Sequence, residues 1–217
     1  MHVIYGGTFD PIHNGHLRVA IELRETLGVN RIDLVPCHIP PHRGDPGGSS
    51  EHRLELLRLA IADEPGLGVD DRELVRGGSS YTADTLRHLR EEIGPDDPLV
   101  MVLGTDSFAG FDRWQEWSSI PELAHIVLVT RPQAGLPPDS PPSRLLFERR
   151  VTNPAMLGRA PAGYILEVEP PLLDISATGI RARLASGRSI RYLVPDPVLA
   201  RIEELGLYGS DGDECGR

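Results

Sequence analysis

The chain has 217 residues, enough to bury a full hydrophobic core, and its 40% hydrophobic and 25% charged residues belong to a globular protein rather than a disordered one. Its 32 acidic and 22 basic residues, the latter all arginine, leave a formal charge of -10, which argues against a broad nucleic-acid or anionic-membrane surface. Cys37 and Cys215 make no disulfide framework, no basic-then-apolar leader opens the chain, and no apolar run nears the roughly 20 residues of a membrane span, so a cytoplasmic protein is expected.

In chain order, "HVIYG" (2–6) reads as a first strand and runs into the glycine-rich "GGTFDPIHNGH", after which residues 16–27 read as an amphipathic helix capped by Gly28. "RIDLVP" (31–36) is a second strand. The Pro/Gly/Ser-rich 43–50 is a loop, and 50–63 a helix with Ser50 at its N-cap. A helix over 82–93 ends before Gly94. "LVMVLG" (99–104) and "HIVLVTR" (125–131) are strands; the proline-rich 131–142 is a loop; "YILEVE" (164–169) is a fifth strand. The last helix takes Asp196 as N-cap, Pro197 at its first helical position and Gly206 past its end. Residues 1–208 are read as one domain and 209–217 as a frayed acidic tail.

Strands alternating with helices predict an open α/β sheet with right-handed crossovers, in which ligands sit at the carboxyl ends of the strands near the point where strand order reverses. The favoured positions are therefore the turn after the first strand, Gly6 to His16, and Thr105–Asp106 after the "LVMVLG" strand. A glycine-rich strand-to-helix turn offers outward N–H groups and the positive end of a helix dipole to a phosphate. His13 and His16, three apart, share a helix face. They can be ordinary cap and surface histidines, a metal pair short of further ligands, or phosphate binders.

The long stretch decides among these. "GGTFDPIHNGH" resembles the G-G-x-F-x-P-x-H-x-G-H signature of the nucleotidyltransferase superfamily related to class I aminoacyl-tRNA synthetases, and "ISATGIR" from Ile175 resembles its second signature, I-S-x-T-x-x-R, with Ala177 where a second serine is common. Within that superfamily the chain is most similar to the nicotinate-mononucleotide adenylyltransferases of bacteria. "PPHR" (40–43), "SSYTADTLRHL" (79–89), "GTDSFAGFDRWQEW" (104–117) and, more loosely, the ending "RYLVPDPVLARIEELGLY" carry that likeness. "RPQAG" departs from the family's R-P-G, and 132–163 matches poorly and receives no role.

The resemblance implies a Rossmann-like, doubly wound parallel sheet flanked by helices. It also implies transfer of the adenylyl group of ATP to nicotinate mononucleotide, giving nicotinate adenine dinucleotide and pyrophosphate without a covalent intermediate. It assigns His13, His16 and Arg181 to catalysis. Gly6, Gly7, Thr8, Phe9, Gly15, Gly104, Asp106, Ile175, Ser176 and Thr178 join them in binding ATP. His42, Arg43, Tyr81, Thr82, Thr85, Trp114 and Arg131 bind the mononucleotide, with the pyridine ring stacked on Trp114 and its carboxylate near the helix that starts at Thr82. Mg²⁺ is expected to ride on the ATP phosphates, with no metal held by the protein and neither nucleic acid nor membrane as partner. Read without the resemblance, Trp114 and Trp117 are core aromatics, Tyr81 and Asp106 helix caps, and His42 and Arg43 solvated charges. The competing functions are adenylyl transfer to nicotinamide mononucleotide, phosphopantetheine or another phosphate monoester, and a nucleotide sensor without catalysis.

Overall fold

The computed structural model describes residues 1–40, 46–130 and 135–209. Its elements in chain order are β1 (His2–Gly7), α1 (Asn14–Leu27), β2 (Ile32–Pro36), α2 (Ser50–Ile61), β3 (Leu67–Val69), α3 (Arg72–Arg76), α4 (Thr82–Ile93), β4 (Leu99–Gly104), α5 (Thr105–Phe108), α6 (Ile120–Leu123), β5 (His125–Val129), α7 (Pro141–Arg149), β6 (Arg150–Val151), β7 (Ile165–Val168), α8 (Ala177–Ala185) and α9 (Asp196–Leu205).

The strands pair in the order β3-β2-β1-β4-β5-β7-β6, every pair parallel. β1 sits in the middle, with Ile4 beside Asp33 of β2 on one side and Met101 of β4 on the other. From β1 the chain winds outward through β2 and β3, then returns to β4 and winds the other way. The order therefore reverses between β1 and β4, and the crevice at their carboxyl ends is where a doubly wound sheet takes its ligand.

Alternation along the strands splits the core in two. Val3, Val100, Val102, Val127 and Val129 face a layer containing residues of α1, α2, α8 and α9. Ile4, Met101, Leu103, Ile126 and Leu128 face one containing α4, α5 and α6. Both faces are covered, which is why the strands read as continuous apolar runs. Burying each such aliphatic side chain contributes about 1.5–3 kcal/mol.

The five expected strands and the four long helices form, within a residue or two at most ends. α1 starts at Asn14 rather than His16, because His13 takes the N-cap with extended φ and ψ. α2 is capped by Ser49, whose hydroxyl accepts the His52 N–H, so Ser50 is its first helical residue. Asp196 is likewise inside α9, with Pro195 at the cap position and no side-chain cap bond. The expected proline loop ends at Ser140: its hydroxyl caps α7, and Pro141 and Pro142 open the helix, where a missing N–H costs nothing. β3 and β6, three and two residues long, carry too little pattern to be read in advance.

Candidate active site

The turn after β1 is shaped by close approaches. Phe9 adopts a left-handed φ of 47°, and its ring lies under Gly7, where a Cβ would come within 2.8 Å of it. The same ring packs edge-on against His16 at 5.1 Å and Tyr5 at 5.9 Å. His13, 4% exposed, accepts the His16 backbone N–H at Nδ1, 3.3 Å. With Nδ1 accepting, the proton of the neutral ring sits on Nε2. The two imidazoles stack with centroids 3.7 Å apart, so the pair does share one face.

Gly15 carries that face to the second signature: a Cβ there would meet the His13 ring at 3.0 Å and the Ile175 carbonyl oxygen at 3.5 Å. Past Ile175, Ser176 caps α8 by accepting the Gly179 N–H at 3.1 Å, leaving Thr178 exposed in the first turn. Arg181 folds back toward the first signature and donates from Nη1 to the backbone carbonyl of Asp10, a contact across 171 residues. The two signatures are thus one place in the structure.

Two further groups bind this place together. Asp10, 5% exposed, accepts the Gly47 and Gly48 N–H groups at 2.8 and 3.0 Å and the Tyr208 hydroxyl at 2.9 Å, with Arg181 Nη1 3.3 Å away. Arg53 of α2, fully buried, donates to four backbone carbonyls: Thr8 and Cys37 at 2.7 Å, His38 at 2.9 Å and Gly48 at 3.2 Å. One guanidinium therefore ties the turn after β1 to the chain after β2. Burial pushes the neighbouring Cys37 thiol above its ordinary range, with weaker opposition from Thr8 and Arg53, which makes it a poor nucleophile.

On the other wall, Gly104 ends β4 and opens α5, exposed, with open space where a Cβ would stand; Gly6 at the end of β1 is equally open. Asp106 is exposed beside it. Trp114 is half-buried and packs on Phe111 at 5.3 Å, which makes it part of the core layer and also a partly open ring. Tyr81 holds the cap position of α4 without a side-chain cap bond, so the first-turn N–H groups of that helix receive none from it. Thr82 is half-buried. Thr85 is 2% exposed, and its hydroxyl donates to Glu73 at 2.6 Å while accepting from Arg76 at 3.2 Å. Its side chain thus braces the start of α4 from inside. An Arg87–Glu116 ion pair links α4 to the turn after Trp114.

His42, Arg43 and Arg131 lie outside the described residues, as do Cys215 and the tail beyond Gly209. Sequence reasoning missed Asp10, Arg53, Glu73 and Tyr208. Asp10 and Tyr208 stood inside quoted motifs, and Arg53 had a visible signal: it falls on the buried stripe of α2 with Leu56, Leu57 and Ile61, where a charge is out of place unless something receives it. Among the described residues no group of three His, Cys, Asp or Glu is arranged to hold a metal ion, and no helix is long and apolar enough to cross a membrane.

Comparison with known proteins agrees with this geometry. The cytidylyltransferase-like family model matches residues 4–183. A protein of Marinobacter nauticus named probable nicotinate-nucleotide adenylyltransferase is 62% identical over 210 residues, spanning 97% of each chain. One of the same name from Chromohalobacter salexigens is 50% identical over 204 residues, 94% of this chain and 93% of that one. The Plasmodium falciparum nicotinic acid mononucleotide adenylyltransferase solved in complex with NaAD superposes with a TM-score of 0.70 at 19% identity, covering 95% of this chain and 96% of that chain. At that identity the likeness speaks for the fold, and the fold is shared.

Proposed function

The chain belongs to the cytidylyltransferase-like family and, within it, to the nicotinate-nucleotide adenylyltransferases, and from that premise we propose how its residues divide the work. It transfers the adenylyl group of ATP to nicotinate mononucleotide, giving nicotinate adenine dinucleotide and pyrophosphate, a step in NAD biosynthesis. The observation that carries the assignment of roles is the meeting of the two signatures at the β1–β4 crevice, with Gly15 against the Ile175 carbonyl and Arg181 folded onto Asp10.

The nucleophile is the phosphate of the mononucleotide, a monoester whose second pKa is about 6, so it needs no general base. The chemistry asks for in-line placement of two polyanions and for positive charge where the α-phosphate bond changes and pyrophosphate leaves. In this reading the His13–His16 stack stabilises the α-phosphate, with Gly6, Gly7 and Thr8 turning the backbone beside it. Phe9 and Gly15 hold the two rings. Thr178 and Arg181 at the start of α8 take the β- and γ-phosphates, with Ile175 and Ser176 shaping that start. Gly104 and Asp106 face the adenosine ribose. On the acceptor side Trp114 stacks on the pyridine, a favourable contact for a cationic ring. The α4 start at Tyr81 and Thr82 receives the carboxylate, where an anion is favoured, and Thr85 supports that start through Glu73. His42, Arg43 and Arg131 supply charge to the mononucleotide phosphate. Mg²⁺ enters as part of the MgATP substrate. Residues 1–208 act as one catalytic domain in the cytoplasm, on small molecules alone.

Pyrophosphate release from ATP, measured with nicotinate against nicotinamide mononucleotide as acceptor, tests this reading. Release is expected with the acid at the higher kcat/KM; no release with either would overturn it.

A further inference from the structure

Four stretches far apart in sequence meet behind the phosphate side of the crevice: Asp10, Gly47–Gly48, Arg181 and Tyr208. The Tyr208 ring lies against the two glycines so closely that a Cβ on Gly48 would stand 2.6 Å from its hydroxyl oxygen, and one on Gly47 would stand 3.1 Å from the ring and 3.2 Å from the Arg181 Cδ. The hydroxyl reaches Asp10 Oδ1 at 2.9 Å, beside the Gly48 N–H at 3.0 Å. Oδ2 takes the Gly47 N–H at 2.8 Å, and Arg181 Nη1 stands 3.3 Å from it. A carboxylate has about four lone-pair sites, and here three hydrogen-bond donors occupy them, while the charged Arg181, whose Nη1 donates to the Asp10 backbone carbonyl at 2.5 Å, stands within ion-pair distance of Oδ2. Burial, and the charge of Asp10 after it, push the Tyr208 phenol far above its ordinary range, so it remains an O–H donor across neutral and alkaline pH.

Arg181 is also the side chain the reaction needs on the triphosphate, so Asp10 and ATP compete for it. We propose that Tyr208 is a positioning residue for ATP: by donating to Asp10 it shares that carboxylate's charge and leaves the Arg181 guanidinium available to the phosphates. Without the hydroxyl, a buried carboxylate short of one donor leans harder on the Arg181 guanidinium beside it. The inference rests on the phosphate role of Arg181 given above.

Tyr208→Phe keeps the ring and removes the donor. The KM for ATP should rise roughly three- to tenfold, the scale of one ordinary hydrogen bond, since the loss reaches ATP only through Arg181, and calorimetric affinity for an unreactive ATP analogue should fall by the same factor. The KM for nicotinate mononucleotide should stay unchanged. Gly48→Ala keeps the hydroxyl but displaces it from Asp10, so it should give the same split. The double variant should be no more than about twofold worse than either single one, since both break one bond. Both KM values moving together with thermal stability, or neither moving, would overturn the proposal and leave Tyr208 a structural residue. An Arg181→Ala control separates the failures. If its KM for ATP is unchanged, the phosphate reading of Arg181 falls; if it rises while Tyr208→Phe does nothing, only the positioning role falls.

Discussion

On the β1 side of the crevice, Asp10, His13 and Arg53 are each at most 5% exposed, and the turn is held from behind by hydrogen bonds that cross the chain. On the β4 side, Gly104 and Asp106 are exposed, Trp114 is half-open, and what holds the wall is apolar packing around Phe108 and Phe111. The difference fits the roles proposed above, phosphate on one wall and the acceptor ring on the other. Charge that develops on a phosphate is stabilised best by groups already fixed before the reaction. An aromatic acceptor ring is recognised by area and stacking, which tolerate small shifts.

The comparison can be broken at its strongest point first. His16→Ala should lower kcat by about 10²–10³-fold with a smaller change in KM, since its contact is made mainly in the transition state; steady-state kinetics decide, and an unchanged kcat would remove the histidine from the chemistry. Next, Arg53→Met strands four carbonyls at once, one buried and three partly buried, and should cost about 3 kcal/mol in denaturant unfolding. Arg87→Ala on the other wall, losing an exposed ion pair with Glu116, should cost about 0.5 kcal/mol. Equal losses would mean the two walls are not built differently. Trp114→Ala should weaken nicotinate mononucleotide binding about tenfold, some 1.4 kcal/mol, and leave ATP affinity within twofold by calorimetry.

The smallest effect lies away from both walls. His125, at the amino end of β5 and fully buried, accepts the Tyr164 N–H at Nδ1 and meets the Ala160 carbonyl with Nε2 at 2.8 Å, the arrangement of a neutral ring. Burial lowers its pKa below the ordinary value, with the Ala160 carbonyl opposing and Arg90 assisting. The unfolded chain therefore takes up a proton that the folded one refuses as pH drops below about 6.5. The stability tied to His125 is present above that pH and is lost below it, by at most about 1.4 kcal/mol per unit. Chemical denaturation at pH 7.5 and 5.5 should show the loss, and His125→Phe should flatten it while sparing the pH profile of kcat.

Much of this was legible before folding was considered. The strands are covered on both faces, so each is an apolar run that stands out in the sequence, and the signature histidines are local neighbours whose spacing alone puts them on one face. The rest was not legible for physical reasons. The proline run opening α7 looked like a loop because proline is tolerated in a first turn and a turn alike, and Ser140 decides between them by capping. The sequence places Thr85 in a segment assigned to the mononucleotide by resemblance, but only the fold shows that Glu73 and Arg76 occupy its hydroxyl. Arg53 is an unremarkable arginine until its four carbonyl partners arrive from three separate stretches of chain.

The sequence by itself determined the parallel sheet and the places where its strands hand over to helices, because these depend on residue type and short spacing, and its two signatures carried the resemblance on which the proposed phosphate roles rest. Tertiary structure alone decided that Arg181 lies on Asp10, that Tyr208 closes the same carboxylate, and that a buried guanidinium joins the chain after β1 to the chain after β2. Those contacts span up to 198 residues, and a hydrogen bond acts only across about three ångströms of space, whatever the distance along the chain.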